Sequence, residues 1–153
     1  MDSSPYEETI KELIQQITAA FASVEYPGDE NIADPQWDEG TTAYFAGKGQ
    51  TGHTAEILRQ YEGSLFFFQP AAFLYFLPAY LVATLEDPER ADVIPDTLFG
   101  IFASAKQRAP LVALMTHEQR AVLAKFFQFL IDCDNNVNDD YHKSAVEALS
   151  LTQ

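Results

Sequence analysis

The sequence has few of the residues on which several classes of protein chemistry depend. Cys133 is its single cysteine, which excludes an internal disulfide. The flanking Asp132 and Asp134 are expected to raise the pKa of this thiol, which disfavours the reactive thiolate. The chain also contains no phosphate-binding glycine-rich loop and no glycine-flanked serine elbow. These absences argue against an enzyme, and the sequence predicts no catalytic residue and no cofactor.

Positive charge is also scarce. Nine lysines and arginines stand against 23 aspartates and glutamates, which gives a formal net charge of −14. This balance repels the phosphates of nucleic acids and of anionic lipids, so neither a nucleic acid nor a membrane is an expected partner. A basic protein partner fits the charge, although the same charge can serve solubility alone.

The beginning of the chain has no basic segment followed by an apolar one, as a secretory signal peptide requires. A cytoplasmic location is therefore expected. The chain has 153 residues, of which 47% are hydrophobic and 13% aromatic, so the composition is that of a globular protein. This length predicts one domain, residues 1–153, with enough apolar surface to form a core.

The one long apolar run, Ser64–Leu85, contains no charged residue and five of the twelve phenylalanines. Its length approaches the roughly 20 residues that span a bilayer. However, Pro70 and Pro78 lie inside it, and acidic residues follow it on the side where a membrane anchor would have basic ones. The run is therefore predicted to be a buried central helix, kinked or split by Pro78.

Apolar residues recur at helical spacing along most of the chain. One stripe predicts a first helix that ends near Val24, and further helices are expected to begin at Thr54, Asp92 and the capping box Thr116–Gln119. A weaker pattern predicts a last helix over Asp140–Leu151. No strand-like alternation persists. The sequence thus predicts an all-α fold, an irregular or orthogonal bundle of six or seven helices around the proline-broken centre.

A polar stretch, Tyr26–Gly40, interrupts this pattern with two prolines, two glycines and five acidic residues. A loop of this length is uncommon in a compact domain unless it has a function. Together with the aspartates that open the helix after the centre, it is the candidate surface for a basic partner. Capping and turn roles for the same aspartates are the alternative. The residues of this candidate partner surface are Asp29, Glu30, Trp37, Asp92 and Asp96.

Two tyrosines of the central run, Tyr75 and Tyr80, carry hydroxyl groups that need partners if they are buried. Together with a carboxylate near Pro78 they could line a pocket, and a small hydrolase or ligand-binding domain is the alternative function. A third hypothesis is a structural homo-oligomer, for which the apolar segment Phe66–Phe68 is the candidate contact.

Metal binding is not predicted. The run Asp132–Asp140 spaces its acidic and amide side chains like a calcium loop, but Val137 stands where the loop needs glycine, and Lys143 where it needs glutamate. The histidines His53 and His117 do not form the repeated histidine–carboxylate pairs of a metal centre in a helical bundle. A solvated loop between two helices is the simpler interpretation of the run.

Four strings resemble a family of small bacterial proteins whose domain has no assigned function. They are PGDENI from Pro27, FxxFLPAYL from Phe73, DVIPD from Asp92 and TxEQRA from Thr116. The similarity covers roughly residues 8–131. It implies that the acidic loop, the central helix and the DVIPD segment form one shared unit, and it implies no activity.

The favoured hypothesis is a non-catalytic, acidic, protein-binding domain. An immunity or antitoxin-like protein that neutralises a basic partner is its concrete form.

Overall fold

The structure is a computed structural model and describes residues 6–38, 40–133 and 140–151. Across these ranges it contains nine α-helices, three short 3-10 helices and no strand, which confirms the all-α class. The α-helices are α1 (Glu7–Phe21), α2 (Thr41–Phe45), α3 (Ala55–Gln60), α4 (Pro70–Glu86), α5 (Pro88–Ala91), α6 (Ile94–Ala103), α7 (Ala105–Val112), α8 (His117–Cys133) and α9 (Asp140–Leu151).

The predicted number of six or seven helices was too low, because two short helices gave no periodic signal. Helix α5 is one turn long and follows Asp87, whose side chain accepts a hydrogen bond from the Arg90 amide. Helix α7 begins after Ser104, whose hydroxyl accepts a hydrogen bond from the Gln107 amide at 3.2 Å. Leu111 is its single buried residue, and Pro110 lies inside it, so no apolar stripe marks it.

Helix α4 is the central element, as predicted. Twelve of its 17 residues are buried, and it packs against α1, α3, α5, α6 and α7. Of the two effects expected of Pro78, a kink or a split, the split is absent, since the helix continues through it. A proline inside a helix costs about 3 kcal/mol, an amount that the burial of two large apolar side chains can offset. No helix in the described ranges is both long enough and apolar enough to cross a membrane.

The polar stretch between α1 and α2 is held against α4. Ile32 is fully buried, its carbonyl oxygen accepts a hydrogen bond from the Gln69 amide at 2.9 Å, and Ala33 forms an isolated β-bridge with Phe68. Gly28 has φ 96°, a value that glycine adopts without strain, where the stretch enters its first 3-10 helix. The stretch Tyr26–Gly40 is therefore held in a fixed position at its centre.

Two helix starts that the sequence predicted are confirmed. The Thr54 hydroxyl accepts a hydrogen bond from the Ile57 amide at 3.2 Å. At the start of α8, the Gln119 amide donates to the Thr116 hydroxyl at 3.1 Å, and the Thr116 amide donates to Gln119 Oε1 at 2.9 Å. Gln119 Nε2 also donates to the Ala20 carbonyl oxygen at 3.0 Å, and this buried contact joins α8 to the last turn of α1.

Some predicted features lie outside the described residues. The start of the first helix near Ser4 is one of them. The centre of the calcium-like run, residues 134–139, is another.

We expect Gln119→Leu to lower the free energy of unfolding by about 1–3 kcal/mol, because the buried Ala20 carbonyl loses its donor. Urea denaturation measures this change. Gln128→Leu is the matched control, since Gln128 is exposed on the same helix, and it should change stability by less than about 0.5 kcal/mol. Equal destabilisation by the two substitutions would contradict a structural role for the Gln119 link.

Candidate functional site

The predicted partner residues Asp29 and Glu30 are exposed in a short 3-10 helix. The Tyr26 hydroxyl donates a hydrogen bond to Asp29 and accepts one from the Gly47 amide at 2.7 Å. The Tyr26 ring packs edge-on against Tyr75, with ring centroids 5.4 Å apart. The pKa of the Tyr26 hydroxyl is raised. The main cause is its removal from water, and the second is its hydrogen bond to Asp29. Tyr26 therefore stays protonated at neutral pH and keeps Asp29 anchored to α4.

Asp92 does not cap the next helix, contrary to the prediction. Its φ is 53°, and it is the one non-glycine residue in the described ranges with a positive φ. Helix α6 begins at Ile94 with Val93 at the capping position, and Asp92 lacks the extended backbone that a capping residue adopts. Its carboxylate instead forms an ion pair with Arg59 on α3, with Asp92 Oδ2 3.0 Å from Arg59 Nε.

The other two residues of the candidate partner surface lie in separate elements. Asp96 is exposed in the first turn of α6, where the helix dipole favours a negative charge. Trp37 ends the 3-10 helix Pro35–Trp37, and its side chain lies outside what the structure describes. The acidic residues of the candidate partner surface thus form two pairs, Asp29 with Glu30 and Asp92 with Asp96. Tyr26 holds Asp29 by a hydrogen bond, and Arg59 holds Asp92 by an ion pair.

A larger acidic group lies around Arg90, two residues before Asp92, and it was not among the predicted site residues. Arg90 Nη1 lies 3.0 Å from Asp87 Oδ2, and the pKa of Arg90 is raised by Asp87 first and then by Glu56 and Glu89. Contact between α3 and α5 brings these side chains together. We call Glu56, Asp87, Glu89 and Asp92 the acidic corner. The crowding of acids from Glu86 to Asp92 was the sequence signal for it.

The tyrosine pocket is not formed as expected. Tyr80 has no exposed surface, and its hydroxyl donates a hydrogen bond to the Tyr61 carbonyl oxygen at 2.7 Å. Burial raises its pKa well above the ordinary value of 10.0. Tyr75 is half-buried against Tyr26 and Phe76. Neither tyrosine lines the cavity beside Pro78, because both belong to the aromatic packing of the core.

A cavity of about 370 Å³ nevertheless lies beside Pro78, between α1, the loop 50–53 and α4. Ile14, Ala79 and Val82 are among its apolar lining residues, and Thr18, Thr51 and Glu86 are among its polar ones. This volume is within the range of small-molecule sites. The combination of apolar wall and polar groups can hold a small ligand.

His53 also lines this cavity, but both of its ring nitrogens are engaged. Nε2 lies 2.8 Å from the Gly49 carbonyl oxygen and must carry the proton that this acceptor needs. In the neutral ring Nδ1 is then the acceptor for the Tyr44 hydroxyl, 2.9 Å away. His53 therefore has no unused nitrogen with which to bind a metal ion or remove a proton from a substrate.

The structure gives little support to a metal site, to a reactive cysteine or to an apolar contact for a homo-oligomer. The part of the chain that the structure describes contains no group of three or more histidine, cysteine, aspartate or glutamate side chains able to hold a metal ion. Cys133 is a free thiol whose pKa is raised by its surroundings, first by partial burial and then by Asp132. In the segment Phe66–Phe68, Phe66 is 57% exposed whereas Phe68 is buried, which leaves a small apolar contact for a homo-oligomer.

Comparison with known proteins identifies one family. A family model described as "Family of unknown function (DUF6714)" matches residues 9–149. The match includes most of α9, beyond the stretch over which the four strings suggested similarity. No curated protein and no solved structure matches the chain.

The burial of Tyr80 predicts a loss of stability at alkaline pH. Since its pKa is raised in the folded state, its contribution is fully present below about pH 10 and decreases as the pH rises above this value. Tyr80→Phe cannot ionise, so it should lose less stability between pH 9 and 11 (about the range in which unfolded tyrosine titrates) than the parent protein. Denaturant unfolding at a series of pH values measures the difference, and parallel curves for the two proteins would contradict it.

Proposed function

The chain belongs to this family of unknown function, and from that premise we propose that it is a non-catalytic domain that binds a basic protein partner. The concrete form of the proposal is an immunity or antitoxin-like protein that neutralises a basic toxin in the cytoplasm. The observation that carries the proposal is the acidic corner. Its four carboxylates outnumber the two arginines beside them, Arg59 and Arg90.

Uncompensated negative charge favours a partner of opposite charge. An excess of one sign on a surface accelerates encounter with a complementary partner and excludes partners of the same sign. The backbone that carries the acidic corner is ordered, since α3 and α5 both pack on the central helix α4. Asp29 is likewise held by Tyr26. A surface that is ordered before binding loses less conformational entropy when the complex forms.

The positive φ of Asp92 adds to this support. A backbone conformation that costs free energy is found most often at functional positions. The conformation at Asp92 places this residue between the end of α5 and the start of α6, next to Arg59 of α3. The arrangement of His53 and Tyr80 supports a non-catalytic function, because neither has a free group for acid–base chemistry.

The test begins with affinity capture from native lysate, followed by purification of the captured protein and measurement of its Kd with the isolated domain. Two isosteric double variants, Asp92→Asn with Asp96→Asn and Asp29→Asn with Glu30→Gln, should each weaken binding by about tenfold or more. Glu8→Gln with Glu12→Gln on α1 is the control, since it removes the same charge elsewhere. Binding should also weaken as salt is added.

Equal weakening by all three double variants would indicate a general charge effect and contradict a specific surface. Full affinity in both test variants would exclude the candidate partner surface. Thermal unfolding of each variant shows whether a loss of binding reflects a loss of fold.

The cavity beside Pro78 favours a second candidate function, a domain that binds a small ligand. Val82→Phe places a larger side chain at the cavity wall and should abolish the chemical-shift changes that fragments produce at neighbouring amides in nuclear magnetic resonance spectra. Ala71→Phe is the control, because Ala71 is exposed on the same helix and does not line the cavity. Undiminished fragment binding to Val82→Phe would remove this candidate.

A further inference from the structure

A groove between α8 and α9 differs in charge from the rest of this acidic protein. Its volume is about 390 Å³, and residues from three turns of α8 line it together with two residues of α9. None of the described residues that line it is acidic, in a chain with 23 acidic residues. We call it the α8–α9 groove and define it by His117, Arg120, Ala124, Lys125, Val146 and Leu149.

Arg120 is the unusual residue in this groove. It is 7% exposed, and its Nη1 donates one hydrogen bond, to the Met115 carbonyl oxygen at 2.7 Å. Its Nε is buried and has no hydrogen-bond partner among the residues that the structure describes. No acidic side chain of the described residues lies within ion-pair distance of it. A buried guanidinium without a counter-charge is costly, because its hydration is lost and no anion replaces it.

The other three arginines each have ion-pair or hydrogen-bond partners within the chain. Arg59 and Arg90 form ion pairs with Asp92 and Asp87 while remaining exposed to water. Arg108 donates from Nη1 to two carbonyl oxygens at the end of α6, as basic residues commonly do at helix ends. Arg120 is the most buried of the four, and within the described ranges it has neither an ion pair nor a second acceptor.

The surroundings of Arg120 extend the basic character of the groove. Lys125 lies just over one helical turn farther along α8 and is exposed, and its Nζ is 3.4 Å from Gln16 Oε1, a weak contact that leaves most of its capacity to donate unused. His117 lies three residues before Arg120, on the same face. Opposite them, Val146 and Leu149 of α9 offer apolar surface.

We propose that the α8–α9 groove binds a small organic anion, a carboxylate with a short apolar body. The carboxylate lies near Arg120 and Lys125 and supplies the counter-charge that no described residue of the chain places there. The apolar body lies against Ala124, Val146 and Leu149. Planar carboxylates suit a guanidinium group, and a hydrogen bond between two charged groups is stronger than one between neutral groups.

This proposal is separate from the binding of a basic protein. The groove and the candidate partner surface share no residue. Variants of the groove should therefore bind the partner with unchanged affinity. The two proposals can fail independently.

The test is titration of the isotope-labelled protein with hexanoate at neutral pH, followed by nuclear magnetic resonance. Saturable shifts are expected at the amides of Ala124 and Val146, together with a rise in Tm. Lys125→Gln should weaken hexanoate binding about tenfold or more, and Arg120→Met should abolish it. Lys106→Gln is the control, since Lys106 is an exposed lysine on α7 outside the groove, and it should bind hexanoate like the parent protein.

Two further probes separate charge from apolar contact. Hexanol keeps the apolar body without the charge, and inorganic phosphate keeps the charge without the apolar body, so both should bind more weakly than hexanoate. Equal binding of either probe would overturn the proposal, and so would full hexanoate affinity in Lys125→Gln. Lys125 is exposed, so this variant decides the test even if Arg120→Met folds poorly.

Discussion

Burial of most of α4 is the constraint on which the rest of the structure depends. Twelve of its 17 residues are buried, so neighbouring helices must remove most of its surface from water. Each large apolar side chain that is fully buried contributes about 1.5–3 kcal/mol, and α4 buries several of them, including Phe73, Phe76 and Leu77. This gain explains why Pro78 leaves the helix intact. The cavity beside Pro78 lies where the packing around α4 is incomplete.

The polar groups enclosed by this core follow one rule with one exception. Tyr80 donates to the Tyr61 carbonyl oxygen, Gln119 uses its amide to join α1, and Thr84 donates to the Tyr80 carbonyl oxygen at 2.9 Å. Each of these hydroxyl and amide groups is neutral and finds its acceptor within the protein, and the buried Thr41 and Ser64 hydroxyls likewise bond to each other at 2.7 Å. Arg120 is charged and uses one of its five N–H donors in this way, so its burial has no counterpart elsewhere in the described chain.

The sequence allowed the helices with strong apolar stripes to be predicted, because their period and their caps are local signals. Thr54 and the pair Thr116–Gln119 illustrate this, since their hydrogen bonds join residues three apart. The site residues depended on tertiary contacts. The pairing of Asp92 with Arg59 spans 33 residues, and no local pattern in the sequence marks the positive φ at Asp92. Short helices such as α5 and α7 were missed because one or two turns are too few to establish a period.

The position of α4 within the chain has a consequence for biosynthesis. When α4 leaves the ribosome, the described helix α1 is already available to cover it, and α6 and α7 follow later. During this interval the nascent chain exposes a strongly apolar helix, a state that favours aggregation and chaperone binding. Rapid translation of the segment between α4 and α8 would shorten the exposure. A pause in translation there would lengthen it.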